Sequence, residues 1–208
     1  MAKIQLNIPL MMASTSIFRR RMLEEVKLPC SFEKPLDEEN DIKGEVRHLP
    51  FPKQALALGA YKGQTLSKNH PDTYVISSDQ MAVCEGRVYS KPKSLEEGVE
   101  QLMELSGKVV ELHTAAIIQK NSETVWSYVE TPRVQMRKFT KTEALSYLQM
   151  EPEAMYCCGS CKLEGTGCYL VHSIDGDPYT IQGLPVNALI NWLMEEKHVE
   201  LVASGLLG

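Results

Sequence analysis

Three consecutive arginines, Arg19, Arg20 and Arg21, follow an apolar run from Ile8 to Ala13 and a turn of hydroxyl residues, Ser14, Thr15 and Ser16. Behind them Met22, Leu23 and Val26 fall at helical spacing. A strand-to-helix turn aims unpaired backbone N–H groups and the positive end of a helix dipole at one point. Hydroxyl donors and guanidiniums added there suit a polyphosphate. At roughly 100° of rotation per helical residue, three successive arginines cannot all face one ligand. Two are expected to reach it and one to be solvated. On spacing alone, an amphipathic helix with a basic outer face fits equally well.

Hydrolysis of a nucleoside triphosphate needs neutralised phosphates, a positioned water and usually a metal. Arg19, Arg20, Lys62 and Lys91 can supply the cations, with Ser16 at the head of the helix. Asp79 is expected at the end of a Thr73–Ser78 strand. There its carboxylate can orient or deprotonate a water, or hold Mg²⁺, which takes one or two carboxylates plus substrate phosphates. Glu38 is the second carboxylate expected at such a metal. Taken alone, an aspartate after a strand is more often a turn residue or a cap. Lys91 before Pro92 reads equally as a solvated charge, and Asp37 as part of a solvated acidic loop. Lys162 lies in a glycine-rich stretch, Gly159–Gly167, which is as often a turn cluster as a binding loop.

These motifs, in this order, resemble the Maf nucleotide pyrophosphatases, whose first strand leads into a Ser-x-x-Arg-Arg phosphate loop, here Ser16, Arg19 and Arg20. The resemblance continues through Asp37-Glu38, Lys62, Ser78-Asp79-Gln80, Ser90-Lys91-Pro92 and Leu105-Ser106-Gly107. It then takes in Gly159-Ser160 with Lys162, Glu164, Gly165 and Gly167, and closes on Gly183-Leu184-Pro185. It spans about Gln5 to Glu196. It implies a metal-dependent pyrophosphatase with Asp79 as proton acceptor, a divalent cofactor (Mg²⁺ or Mn²⁺), a nucleoside triphosphate substrate and a homodimer. The implied fold is that of Maf and inosine triphosphatase proteins, a mixed, elongated central sheet with flanking helices and two lobes around a cleft.

Within the family, the chain is most similar to the branch that acts on 7-methylguanosine triphosphate. That branch has Ser-Asp-Gln and Glu-Gly where the pyrimidine-directed branch has Ala-Asp-Thr and Gln-Gly. Here the residues are Ser78-Asp79-Gln80 and Glu164-Gly165. A carboxylate can accept both N1–H and the exocyclic amine of guanine, and an aromatic face favours the cationic methylated base. Phe18 stands where that branch tends to carry tryptophan, and core packing explains it equally well. Ile17 replaces the family's proline, Ser90 and Ala115 replace glycines, and the Glu39–Lys53 region matches poorly. Alternatives are a pyrimidine or broad nucleotide pyrophosphatase and a non-enzymatic, nucleotide-binding regulator of septum formation.

The composition of the 208 residues, 43% apolar and 24% charged, is that of an ordinary soluble globule with one substantial core, and the alternation of strands and helices along the chain fits a mixed-sheet α/β fold. A net charge of −5 argues against a general nucleic-acid binder. No apolar stretch approaches the ~18 residues of a membrane span, and nothing reads as an export signal, so a cytoplasmic protein is expected. Four of the six cysteines cluster at Cys157, Cys158, Cys161 and Cys168. Cys158-Gly-Ser-Cys161 has the spacing of a zinc or redox site, with His172 as a further ligand, but buried reduced thiols fit better.

The elements that must position these residues are read as follows. A first strand covers Ile4–Ala13 and a helix Phe18–Val26. A helix diluted by Gly59 and Gly63 covers Pro52–Ser67, and a hairpin turns through Glu85-Gly86-Arg87. Capping boxes start helices at Ser94–Glu97 and Thr140–Glu143. Val109–Gln119 and Thr124–Phe139 form a long antiparallel hairpin. A strand covers Gly167–Ile174 and a last helix Leu184–Glu195. One Maf-like domain is assigned to residues 1–197, and 198–208 to a C-terminal tail without a strong pattern.

Overall fold

Pro9 decides how the chain begins. The computed structural model describes residues 3–38 and 40–203, and in it the expected first strand is two strands. β1 (Lys3–Leu6) pairs antiparallel with the last strand of the chain, and β2 (Leu10–Ala13) enters the main sheet. Proline has no amide hydrogen to donate to a ladder. Asn7 at the break donates through its N–H to His198 O and through its side chain to Lys197 O. All four residues of β2 are buried, as expected of a parallel strand covered on both faces.

The chain continues through α1 (Ile17–Glu25), β3 (Ser31–Glu33), α2 (Asn40–Val46), α3 (Phe51–Asn69), β4 (Tyr74–Cys84) and β5 (Arg87–Tyr89). It goes on through α4 (Leu95–Leu105), β6 (Val109–Lys120), β7 (Glu123–Glu130), β8 (Arg133–Met136) and α5 (Lys141–Met150). Three short 3₁₀ turns then lead to β9 (Val171–Asp175), α6 (Pro178–Ile181), α7 (Val186–Glu195) and β10 (Val199–Val202). The main sheet has eight strands in the order β3-β2-β4-β6-β8-β9, with β5 on β4 and β7 on β6. Its β2–β3 and β2–β4 pairs are parallel; β4–β5, β6–β8 and β8–β9 are antiparallel. The fold is therefore the expected mixed α/β sheet flanked by helices.

Local chemistry accounts for several of these elements. Thr140 and Glu143 form the expected capping box, each satisfying the other's backbone N–H. Ser94 caps α4, but Glu97 reaches back to the N–H of Lys93 rather than that of Ser94. Two-residue turns with both residues at positive φ, Glu85-Gly86 and Asn121-Ser122, close the two hairpins. The second arm of the longer hairpin is divided at Pro132 into β7 and β8. Two expectations fail. Gly165–Tyr169 is a 3₁₀ turn, so that strand begins only at Val171. Residues 199–202, in the stretch read as a tail, form β10, while residues 204–208 lie outside the described ones.

The chain divides into two compact units. Unit 1 comprises residues 1–79, 115–129 and 183–208, and unit 2 residues 80–114 and 130–182, so the divisions fall inside β4, inside β6, at the last residue of β7 and just after α6. Unit 1 buries Met12, Leu23, Leu66, Ile76, Ile117 and Leu189 almost completely. Unit 2 buries a cluster built on Leu102, Leu105, Val134, Ala144, Tyr147 and Ile181.

The two glycines that dilute the α3 pattern are what let it pack in unit 1. A β-carbon on Gly59 would stand 2.5 Å from Ile117 Cδ1 and 3.4 Å from the backbone nitrogen of Asp79. One on Gly63 would stand 2.5 Å from Gln119 Oε1 and 2.9 Å from Ser77 Oγ. Spaced four residues apart, the two glycines form one smooth stripe lying on β4 and β6. In an open helix Gly→Ala gains about 1 kcal/mol. At Gly63 overpacking reverses the sign, and Gly63→Ala is expected to lose about 1–3 kcal/mol of stability in denaturant unfolding. A gain would mean that the helix does not approach the sheet this closely.

Candidate active site

Ser16 is the N-cap of α1: its side chain accepts the N–H of Arg19 at 3.4 Å, and its own N–H is held by Ser14 Oγ. The hydroxyl-rich turn is therefore a capping device as well as a source of donors. The three arginines diverge. Arg19, half-buried, donates from Nε to the carbonyl of Gly183 at 2.8 Å. Arg20 lies on the face of Phe32 in β3, 4.2 Å from the ring centroid. The Arg21 guanidinium stands 6.0 Å from the ring of Phe18, which is half-buried.

Asp79 does not follow a strand, as the sequence suggested; it lies within β4, which runs on unbroken to Cys84. Successive strand residues alternate in direction, so Ser77 and Asp79 share a face. That is the face covered by α3, through Gly59, Lys62 and Gly63. Asp79 is 6% exposed, and its Oδ1 receives the Lys62 ammonium at 2.5 Å. One turn along α3, Thr65 donates both its N–H and its hydroxyl to the carboxylate of Asp37, at 2.9 and 2.6 Å. Asp37 is thus a tie between the acidic segment and α3, not merely a solvating charge. Its neighbour Glu38 is exposed.

Unit 1 therefore carries Ser16 and Arg19 at the head of α1, and Lys62 paired with Asp79 between α3 and β4. Two residues of the family motifs that had been given no role complete the connection. Ser78 Oγ donates to the same Gly183 carbonyl, at 2.9 Å, that Arg19 holds. Of the two carboxylates expected at a metal, Asp79 is buried and paired with Lys62, and Glu38 is exposed. Asp79 offers a buried carboxylate, and Mg²⁺ asks for one or two such groups with phosphate oxygens completing the shell. Among the described residues no three His, Cys, Asp or Glu side chains form a metal-holding cluster.

Unit 2 carries Gln80, Lys91 and Glu164. The amide nitrogen of Gln80 serves three acceptors, Thr114 Oγ1, Thr180 O and Ile181 O, at 2.9–3.1 Å. These bonds brace the α6 segment, a structural load that the sequence did not reveal. Lys91 is exposed. Glu164 raises the Cys157 thiol and Lys91 lowers it, and Cys158 Sγ lies 4.0 Å from the backbone carbonyl of Gln80. None of the six cysteines is in a disulfide among the described residues. Burial pushes the Cys161 thiol up to about 12, and the Cys157 thiol also upward, which suits reduced, unreactive sulfur.

Lys162 is a strut. Its ammonium bonds Glu151 and Glu153 at 3.0 and 2.8 Å, and its backbone N–H and carbonyl both bond the Tyr147 hydroxyl. Burial opposes the Lys162 charge, but the two carboxylates outweigh it and raise its pKa. Glu164 sits beside this excess of acid. Burial raises its carboxyl above 4.5; Glu151 and Glu153 add to the rise, and a backbone bond and Lys162 oppose it.

A family model described as Maf-like protein matches residues 9–196. The chain is 32% identical over 193 residues to the 7-methyl-GTP pyrophosphatase of Neisseria gonorrhoeae, covering 92% of this chain and 96% of that one. It is 34% identical over 189 residues to the protein of the same name from Chromobacterium violaceum, covering 90% and 96%. It is 33% identical over 191 residues to the nucleoside triphosphate pyrophosphatase of Granulibacter bethesdensis, covering 90% and 97%. Among the described residues no helix is long and apolar enough to cross a membrane.

The Glu164 environment has a consequence for stability. A carboxyl whose folded pKa is raised favours the protonated fold, so its ionisation costs stability at neutral pH. That cost fades as pH falls through the raised value and is gone below the unfolded value near 4.5. Glu164→Gln is expected to be more stable than the parent at pH 7, with the advantage vanishing below that unfolded value. Unfolding curves across pH 4–8 test this; a variant less stable at pH 7 would show that the carboxylate is a net stabiliser.

Proposed function

This chain belongs to the Maf family, and we propose that it hydrolyses nucleoside triphosphates to the monophosphate and pyrophosphate, with 7-methyl-GTP preferred. The observation that carries this is the buried Asp79–Lys62 pair within unit 1, where Arg19 is tethered at the head of α1. Arg19 and Lys62 bind phosphate charge, with Arg20 and Lys91 as further cations and Ser16 setting the helix start. Asp79 orients the attacking water and accepts its proton, while Lys62 balances its charge before substrate arrives. A bound Mg²⁺ or Mn²⁺, held by Asp79 with Glu38 as a second carboxylate, would supply charge neutralisation on the phosphates. A homodimer in the cytoplasm belongs to the same proposal.

Base preference is assigned chiefly to Glu164. Gln80 acts on it indirectly, because its amide nitrogen is committed to Thr114, Thr180 and Ile181. A cationic methylated base beside Glu164, Glu151 and Glu153 relieves the cost of keeping Glu164 ionised. A neutral pyrimidine offers no such compensation. Phe18 is the aromatic face assigned to the base.

Asp79→Asn keeps an oxygen to accept from Lys62, so the variant is expected to fold and to lose at least about 10²-fold in kcat. Pyrophosphate release, measured with Mg²⁺ and Mn²⁺ on a nucleotide panel, tests this; near-parental turnover would remove Asp79 from the chemistry. On the same panel, Glu164→Gln is expected to lower kcat/KM for 7-methyl-GTP at least about tenfold more than for UTP or dTTP. An unchanged substrate ratio would mean that Glu164 does not read the base.

A further inference from the structure

Two donors from distant parts of the chain meet on one carbonyl oxygen in unit 1. Arg19 Nε donates to Gly183 O at 2.8 Å, and Ser78 Oγ donates to the same atom at 2.9 Å. A carbonyl oxygen has two lone pairs, and here both are used. Ser78 is fully buried, so its hydroxyl has no water to turn to. Gly183 has φ 105°, a conformation that side-chain-bearing residues rarely adopt. We infer that Ser78 and the Gly183 carbonyl form a positioning device that aims the Arg19 guanidinium at the substrate phosphates. This rests on Arg19 being a phosphate ligand.

The geometry explains why such a device is needed. An arginine side chain has four rotatable bonds, and without a fixed partner its fork sweeps a wide arc before it meets phosphate. Bonding Nε–H to a rigid acceptor sets the plane of the guanidinium. The acceptor is rigid only if it is itself held, and Ser78 holds it from a completely buried position on β4. Ser78 directly precedes Asp79, so the strand that carries the proposed proton acceptor also fixes the direction of Arg19. The Ser in the Ser78-Asp79-Gln80 motif then acts on phosphate geometry, not on the base. Alanine at this position would leave the Gly183 carbonyl with one donor.

The test is a double-mutant cycle read in two ways, by kcat and KM on nucleotide and by calorimetric affinity for inorganic tripolyphosphate. Ser78→Ala is expected to weaken both KM and tripolyphosphate affinity about fivefold, the scale of one hydrogen bond, with kcat changed less. In an Arg19→Ala background the same change should alter affinity less than about twofold, since the group being aimed is gone. Ser78→Thr should retain affinity, and Ser78→Val, which has the shape of that threonine without its hydroxyl, should not; this pair decides the matter if Ser78→Ala folds poorly. An equal loss in both backgrounds, or no loss in either, would overturn the inference even while the parent hydrolyses nucleotides. If the parent released no pyrophosphate yet the coupling on tripolyphosphate persisted, the catalytic reading would fall and the positioning device would stand. A parent that neither bound tripolyphosphate nor hydrolysed nucleotide would overturn both.

Discussion

A buried carboxylate and a buried ammonium in contact are the constraint around which unit 1 is built. Lys62 and Asp79 retain 13% and 8% of their side-chain exposure and lie 2.5 Å apart. Taking either charge out of water alone would cost several kcal/mol, and removing one partner of such a pair typically costs about 3–5 kcal/mol. Their meeting depends on how closely α3 lies on β4 and β6. That closeness comes from Gly59 and Gly63, which present no side chain to Ile117, Ser77 and Gln119. Asp37 reinforces it by taking both donors of Thr65 on the same helix. In the proposed mechanism Asp79 and Lys62 occupy one spot because proton acceptor and phosphate ligand must meet the same anhydride.

Unit 2 solves a different electrostatic problem. Three carboxylates, Glu151, Glu153 and Glu164, share one lysine, Lys162, which is pinned at its side chain by two of them and at its backbone by Tyr147. The third, Glu164, is left in a place where burial and like charge both resist its ionisation. Such a group costs stability unless something cationic arrives. Carboxyls in this condition cluster at functional sites, because the strain is relieved by the ligand. The nearby cysteines have been pushed toward the neutral thiol by the same burial.

Local signals survived the passage from sequence to structure, and long-range ones did not. The Thr140–Glu143 box involves only neighbours in the chain, so its residue types sufficed. Asp79 was expected after a strand, the short β-branched run that was read as ending at Ser78. The strand continues because each polar residue faces something distant: α3 for Asp79, Gly183 for Ser78, Thr114 and the α6 segment for Gln80. Gly59 and Gly63 looked like flaws in a helix and are its contact surface, a fact visible only with the opposing strands in place. β10 has four residues and exists as the partner of β1, so it carries no pattern of its own. The arginine cluster was legible as a cationic helix start. Its three different directions were not, since they are set by Gly183, Phe32 and Phe18.

The engagement of phosphate by the buried pair can be observed on the lysine itself. Protein labelled with ¹⁵N-lysine, its Lys62 ammonium resonance assigned with Lys62→Arg, would be titrated with an α,β-methylene guanosine triphosphate analogue, which resists cleavage at the bond in question, in the presence of Mg²⁺. If Lys62 passes from Asp79 toward substrate phosphate, its ammonium resonance shifts in proportion to occupancy, while that of the strut Lys162 stays in place. A Lys62 resonance unmoved at saturating analogue would mean that the buried pair is scaffolding and that phosphate is held elsewhere.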